Sequence, residues 1–206
     1  MTESVFPRWL EGLINSPFRR IIHNPAKIVS PYLRFGMIAL DVGCGNGYFT
    51  LPMARIVGSS GKVLAVDAQQ KLLENLNHRA GKAGYLNRIK TFLSVAGELP
   101  VYEPADFVLT FWMAHEVSDL SRFFTGIKFH LKPGGRWLLV DPRAKSVKND
   151  FESSINLASK LGFIHLEQPK ISLSRCALFG LPKKTLKSTL SFVENNNVDP
   201  LNSSDD

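Results

Sequence analysis

MIALDVGCGNGYFTLPMA, Met37 to Ala54, is the stretch that decides the fold. Gly43, Gly45 and Gly47 stand at alternate positions, directly behind an apolar run and directly ahead of a helix-like one. Glycine tolerates a left-handed backbone and lets a ligand approach the main chain closely. A helix that starts after such a loop offers free N–H groups and a partial positive charge. In an open α/β sheet, the loop after the first strand lies outside the carboxyl ends of the strands, where ligands bind. The loop therefore suits a nucleotide-like ligand with an anionic group.

Working outward, the pattern stays regular. Residues 37–42 read as a buried strand and 47–58 as a helix. KVLAVD (62–67) is a second strand, followed by a helix over 69–84 with Leu72, Leu73 and Leu76 as its apolar stripe. Strands follow at 89–95 and 105–113, then a helix over 117–131. KPGG is a turn that stops that helix. RWLLVD (136–141) is a fifth strand, and the helix over 149–163 has an acidic start and a glycine stop at Gly162. Two extended runs between 163 and 181 form a hairpin. Strands alternating with helices predict an α/β, doubly wound, mainly parallel sheet of seven strands with a C-terminal antiparallel hairpin.

The 206 residues fit one domain with modest extensions. Residues 1–35, with prolines at 7, 17, 25 and 31, read as a helical cap or lid. Residues 36–182 form the ligand-binding domain. Residues 183–206 form an extension, disordered from about 194, where Asn, Ser and Asp dominate. No stretch approaches the roughly 18 apolar residues that cross a bilayer. Glu3, Pro7, Arg8 and Glu11 break any signal-peptide core. A cytoplasmic protein, monomer or homodimer, is expected. Cys44 and Cys176 make neither a disulfide framework nor a zinc site, so no metal is expected. The net charge is +7, and the four acids after residue 193 leave +11 on residues 1–193. A basic body attracts anionic partners, yet no Lys/Arg run exceeds two residues.

Two ligands compete for the glycine loop. The dinucleotide fingerprint is G-x-G-x-x-G, and here Tyr48 stands where its third glycine belongs. Asp67 ends the second strand, where an acid accepts hydrogen bonds from ribose hydroxyls in either case. The balance shifts with YLRFGMIALDVGCGNGYFTLPMA, GKVLAVDAQQKLL, ADFVLTFWMAHEV and LKPGGRWLLVDP. In order and spacing these resemble the successive motifs of the class I, Rossmann-like S-adenosylmethionine (SAM) methyltransferases. They are most similar to the small-molecule branch related to ubiquinone- and menaquinone-biosynthesis methyltransferases. The resemblance covers about residues 32–180.

That resemblance implies SAM as cofactor and S-adenosylhomocysteine as product. It implies that Gly43, Cys44, Gly45 and Gly47 line the methionine part of SAM, with Asp41 shaping the loop near the SAM amino group. Asp67 would bind the ribose and Ala68 would pack on the adenine. Relatives often carry an aspartate after the third strand that reads the adenine amine. Val95 stands there instead, which leaves the reading of adenine to the backbone at Ala96. Phe111 would offer its carbonyl to the SAM ammonium.

Methyl transfer from a sulfonium needs alignment and exclusion of water more than acid–base help. A base matters when the acceptor must lose a proton. His115, in FWMAHEV after the fourth strand, is the candidate base. Asp141 is the candidate that orients the acceptor. Glu116 reads as a first-turn helix carboxylate, and Trp112 and Met113 either line an acceptor pocket or belong to the core. Trp9, Phe18 and Tyr32 are candidates for a lid. Short gaps between motifs favour a small acceptor over a polymer. The alternatives are an RNA methyltransferase, which the basic body motivates, and a SAM-binding protein without transferase activity. A nicotinamide oxidoreductase is disfavoured by Tyr48.

Overall fold

The computed structural model describes residues 23–95, 98–143 and 150–183. Seven strands form one sheet: β1 (Ile38–Val42), β2 (Lys62–Asp67), β3 (Ile89–Leu93), β4 (Ala105–Phe111), β5 (Leu131–Pro142), β6 (Ile164–Glu167) and β7 (Ser174–Gly180). Their order is β3-β2-β1-β4-β5-β7-β6. Every pairing from β3 to β5 is parallel, and β7 runs antiparallel to both β5 and β6. The expected fold, hairpin included, is the observed one. Strand order reverses at β1, which lies between β2 and β4, and this puts the switch point at the end of the strand that feeds the glycine loop.

Five helices accompany the sheet among the described residues: α1 (Pro25–Val29), α2 (Thr50–Val57), α3 (Gln70–Lys82), α4 (Leu120–His130) and α5 (Phe151–Lys160). The strands are buried on both faces, which is why they read as continuous apolar runs. One face packs Ala39, Val63, Ala65, Phe107 and Leu138 under α1, α2 and α3. The other packs Leu40, Leu64, Val108, Trp137 and Leu139 under α4 and α5. Trp137 is fully buried among Phe124, Phe163 and Phe179, and its indole N–H donates to Thr110 Oγ1 at 3.0 Å. Truncating such a side chain to alanine costs about 3–5 kcal/mol.

The boundaries depart from the sequence reading in instructive places. α2 starts at Thr50, three residues later than the apolar pattern suggests, because Gly47 at φ +86° still belongs to the turn. Pro52 falls in the first turn of α2, where its missing N–H costs nothing. KPGG is not a plain turn. β5 already begins at Leu131, pairing with Ala105, and resumes at Arg136 opposite Phe107, so the intervening residues bulge out of the ladder. α1 is short and local, capped by Asn24, whose Oδ1 accepts from Lys27 N, with Pro25 at its first position. Val29 and Leu33 anchor this segment in the core. No helix among the described residues is long and apolar enough to cross a membrane.

Candidate active site

β1, β2, β4 and β5 end on the same edge, and the residues singled out in the sequence sit at those ends. The glycine loop follows β1. The N–H groups of Gly43 and Cys44 both donate to the Val66 carbonyl, at 2.8 and 3.0 Å, which ties the loop to β2. The three glycines meet different needs. A Cβ at Gly43 would stand 2.8 Å from Met113 Cγ, and one at Gly47 would collide with the Leu76 side chain. A Cβ at Gly45 would meet nothing within 4 Å. The outer two thus let the protein pack on the loop. Gly45, at φ +55°, leaves open room above it.

Asp67 sits beneath that room. Its Oδ2 accepts from Gly45 N at 2.8 Å and its Oδ1 from Gln69 N at 2.9 Å. Its partners among the described residues are therefore backbone donors, and each oxygen keeps a lone pair for a ligand hydroxyl. Ala68 beside it is exposed. Asp41 is 2% exposed and accepts from Thr50 Oγ1 at 2.6 Å, so it ties the base of the loop to the first residue of α2. Burial foremost, then the charges of Asp41 and Asp67, push the Cys44 thiol far above its ordinary range. Cys44 is a filler and no nucleophile.

The other half of the site is built by Trp112. This residue has φ +58°, a strained conformation for a bulky side chain that costs about 1–3 kcal/mol. Its backbone N–H donates to Val140 O at 2.7 Å and its indole N–H to Ser174 Oγ at 3.0 Å. The His23 ring meets it edge-on at 5.0 Å. The bend turns Met113 onto the glycine loop and opens a 3₁₀ turn over Ala114–Glu116. That turn carries His115 to the end of β5, where its Nδ1 lies 3.2 Å from Asp141 Oδ1. The two side chains are 11% and 5% exposed. A carboxylate accepting at Nδ1 fixes the tautomer that leaves Nε2 as the proton acceptor. Glu116 Oε1 lies 4.0 Å from Nε2. Desolvation raises the Glu116 carboxyl, the charges of Asp67 and Asp141 add to the rise, and His115 opposes it. The loop half and the His115 half therefore stand at one edge of the sheet, at the ends of the neighbouring strands β1, β4 and β5.

The structure brings Gly43, Cys44, Gly45, Gly47, Asp67, Ala68, Phe111, His115 and Asp141 to this edge, with Asp41 below them. Ala96, Trp9 and Phe18 lie outside the described residues. Phe111 ends β4 with its ring packed on Phe49 at 4.4 Å. Val95 is exposed and offers no polar side-chain atom for adenine. Two readings need correction, those of Glu116 and Tyr32, and one open alternative closes at Trp112. Glu116 closes the 3₁₀ turn, while α4 begins at Leu120 with Asp119 as its cap, so Glu116 is no first-turn helix carboxylate. Trp112 is core. Tyr32 is no lid: it stacks on Phe107 and donates to Glu167, away from the glycine loop. A cleft of about 380 Å³ opens near Tyr32 at the opposite, amino edge, lined by Arg34, Asp106, Lys132, Arg136 and Lys183, remote from the glycine loop.

A family model described as a methyltransferase domain matches residues 33–192. The chain belongs to this methyltransferase family. Demethylmenaquinone methyltransferase of Symbiobacterium thermophilum is 33% identical over 115 residues, 55% of this chain and 46% of that one. A ubiquinone/menaquinone biosynthesis C-methyltransferase of a Marinomonas species is 28% identical over 110 residues, 53% of this chain and 44% of that one. The chain thus matches less than half the length of these two relatives. A SAM-dependent methyltransferase from Aquifex aeolicus has the same fold, with a TM-score of 0.72 at 22% identity, over 85% of this chain and 97% of that one.

SAM is the cofactor of this class of methyltransferase, and the residues present fit it. The room over Gly45 admits a ligand against the backbone, and Asp67 supplies acceptors for ribose hydroxyls. Asp67 and Asp141 are matched to N–H donors and an imidazole, not to Lys or Arg, among the described residues.

Proposed function

We propose that this methyltransferase moves a methyl group from SAM to a small-molecule acceptor, with His115 as the base. The supporting observation is that the open position over Gly45 and the His115–Asp141 pair stand at the same edge of the sheet, at the ends of neighbouring strands. When bound, SAM supplies a methyl already activated by positive charge on sulfur. The chain's residues then position and deprotonate. Asp67 binds the ribose and Ala68 contacts the adenine. The turn at Gly43–Gly47 carries the methionine part, with Asp41 holding that turn in place and the end of β4 at Phe111 facing the ammonium. Asp141 keeps His115 oriented with Nε2 toward the acceptor. Nε2 takes the acceptor proton as the new bond forms, and Asp141 stabilises the imidazolium. Half-exposed Glu116, 4.0 Å from Nε2, passes that proton to water. Positioned proton transfer of this kind contributes about 10²–10⁴-fold.

Only residues 112–119 and 143–150 separate β4 from α4 and β5 from α5. Such short connections support a small acceptor over a polymer. Two steps test the reading. S-adenosylhomocysteine should raise the melting temperature by mass action. A panel of small phenols, thiols and amines with SAM should then yield S-adenosylhomocysteine. An unchanged melt at millimolar ligand removes the reading. Turnover that persists undiminished in His115→Ala removes the base.

A further inference from the structure

We infer that Arg175 anchors an anionic group of the acceptor, so that the preferred substrate carries a carboxylate or phosphate. The inference rests on the transferase reading above and adds the charge of its substrate.

β7 lies antiparallel to β5 with Arg175 directly opposite Asp141. Residues paired in this way project from the same face of the sheet. Asp141 nevertheless turns its carboxylate to His115, and Arg175 makes no ion pair among the described residues. The Arg175 Nε is buried and has no hydrogen-bond partner. Native proteins rarely leave a buried donor unmatched, and a guanidinium is the side chain best shaped to hold an oxyanion.

The surroundings hold that charge in place without neutralising it. The guanidinium lies over the Phe151 ring, 5.6 Å from its centroid, at the N-terminus of α5. Asp150 caps that helix, but its oxygens accept from Glu152 N and Ser153 Oγ. Arg143, one residue past β5, donates its backbone N–H to Leu173 O at 2.8 Å. Arg175 as a whole is only partly buried, and Nε is the one of its nitrogens that is both buried and unmatched. His115, Asp141 and Arg175 are thus a base, its orienter and an anion anchor, brought together at the ends of β4, β5 and β7.

The test uses the same panel, with each compound as carboxylic acid, phosphate monoester and neutral amide. The full-length protein should turn over acids or phosphates ahead of their amides. Arg175→Gln should lower kcat/KM for the anionic member by about 30-fold or more. Its effect on the amide should stay within a few-fold, with affinity for S-adenosylhomocysteine unchanged. Arg175→Lys should recover part of the loss. Preference for the amides, or an Arg175→Gln enzyme that keeps the anionic preference, overturns the anchor and leaves the transferase standing. Turnover of no compound by the unaltered protein defeats the transferase reading itself, and the anchor with it. The acid-over-amide preference of the unaltered protein needs no variant, so a variant that fails to fold leaves the question decidable.

Discussion

At the amino edge of the sheet, Asp106 meets Lys132 at 2.9 Å, and Glu103 meets Lys62 at 2.6 Å and Lys90 at 3.3 Å. At the carboxyl edge, Asp67 takes two backbone N–H groups and Asp141 takes an imidazole. The first pair of acids is about a third exposed and matched to cations. The second is nearly buried, at 9% and 3% exposure, and is not. A buried charge without a counter-ion is expensive. Among the described residues, Asp67 and Asp141 are two such acids, both where the strands end near the open position at Gly45. The contrast separates acids that serve the scaffold from acids whose charge is completed by a ligand.

Exchanging one acid from each edge is the strongest challenge to that contrast. Asp67→Asn should weaken S-adenosylhomocysteine binding by about 100-fold, the loss of charged hydrogen bonds worth about 3 kcal/mol. Calorimetric titration would show it. Asp106→Asn should leave that affinity alone, and equal losses in the two variants would erase the distinction between edges.

Next in size comes the glycine loop. Gly45→Ala places a methyl in the open room and should cost about tenfold in ligand affinity. The ligand-free melt should fall only by the strain of a left-handed alanine, about 1–2 kcal/mol. Gly47→Ala, set against Leu76, should reverse the balance and lose stability more than affinity. Parallel melts and titrations on the two variants sharpen the comparison within a single turn.

A pH effect follows at the amino edge. Burial, then the charge and hydrogen bond of Glu167, push the Tyr32 phenol from 10.0 up to about 12. The fold favours the neutral phenol, so its contribution is intact below pH 10 and is lost as pH rises through about 12. Ultraviolet titration should find one of the four tyrosines ionising late, and Tyr32→Phe should delete that step. The smallest effect belongs to Glu103. Its two lysines hold the carboxyl below the usual range, but the pairs are exposed, so Glu103→Gln should cost no more than about 1 kcal/mol in denaturant unfolding. A larger loss would mean that the amino edge carries buried electrostatics after all.

Much of this architecture is local and therefore readable. KVLAVD gives β2 without error because a strand buried on both faces needs continuous apolar residues. The alternate glycines and the acid at the end of β2 mark the loop, since a close-fitting turn excludes side chains wherever they would collide. Boundaries shift where glycine geometry overrides apolar pattern, as at Thr50, or where a bulge lets KPGG join a strand.

The amino-acid sequence by itself determined the alternation of strands and helices, the glycine turn and the acid beside it, because each depends on residues within a few positions of one another. Tertiary structure alone decided that Trp112 bends with a positive φ, that His115 meets Asp141, and that Arg175 stands opposite Asp141 with a buried, unmatched Nε. Those relations depend on strand order and register. No local window contains them, because they are set by how distant segments pack into one sheet.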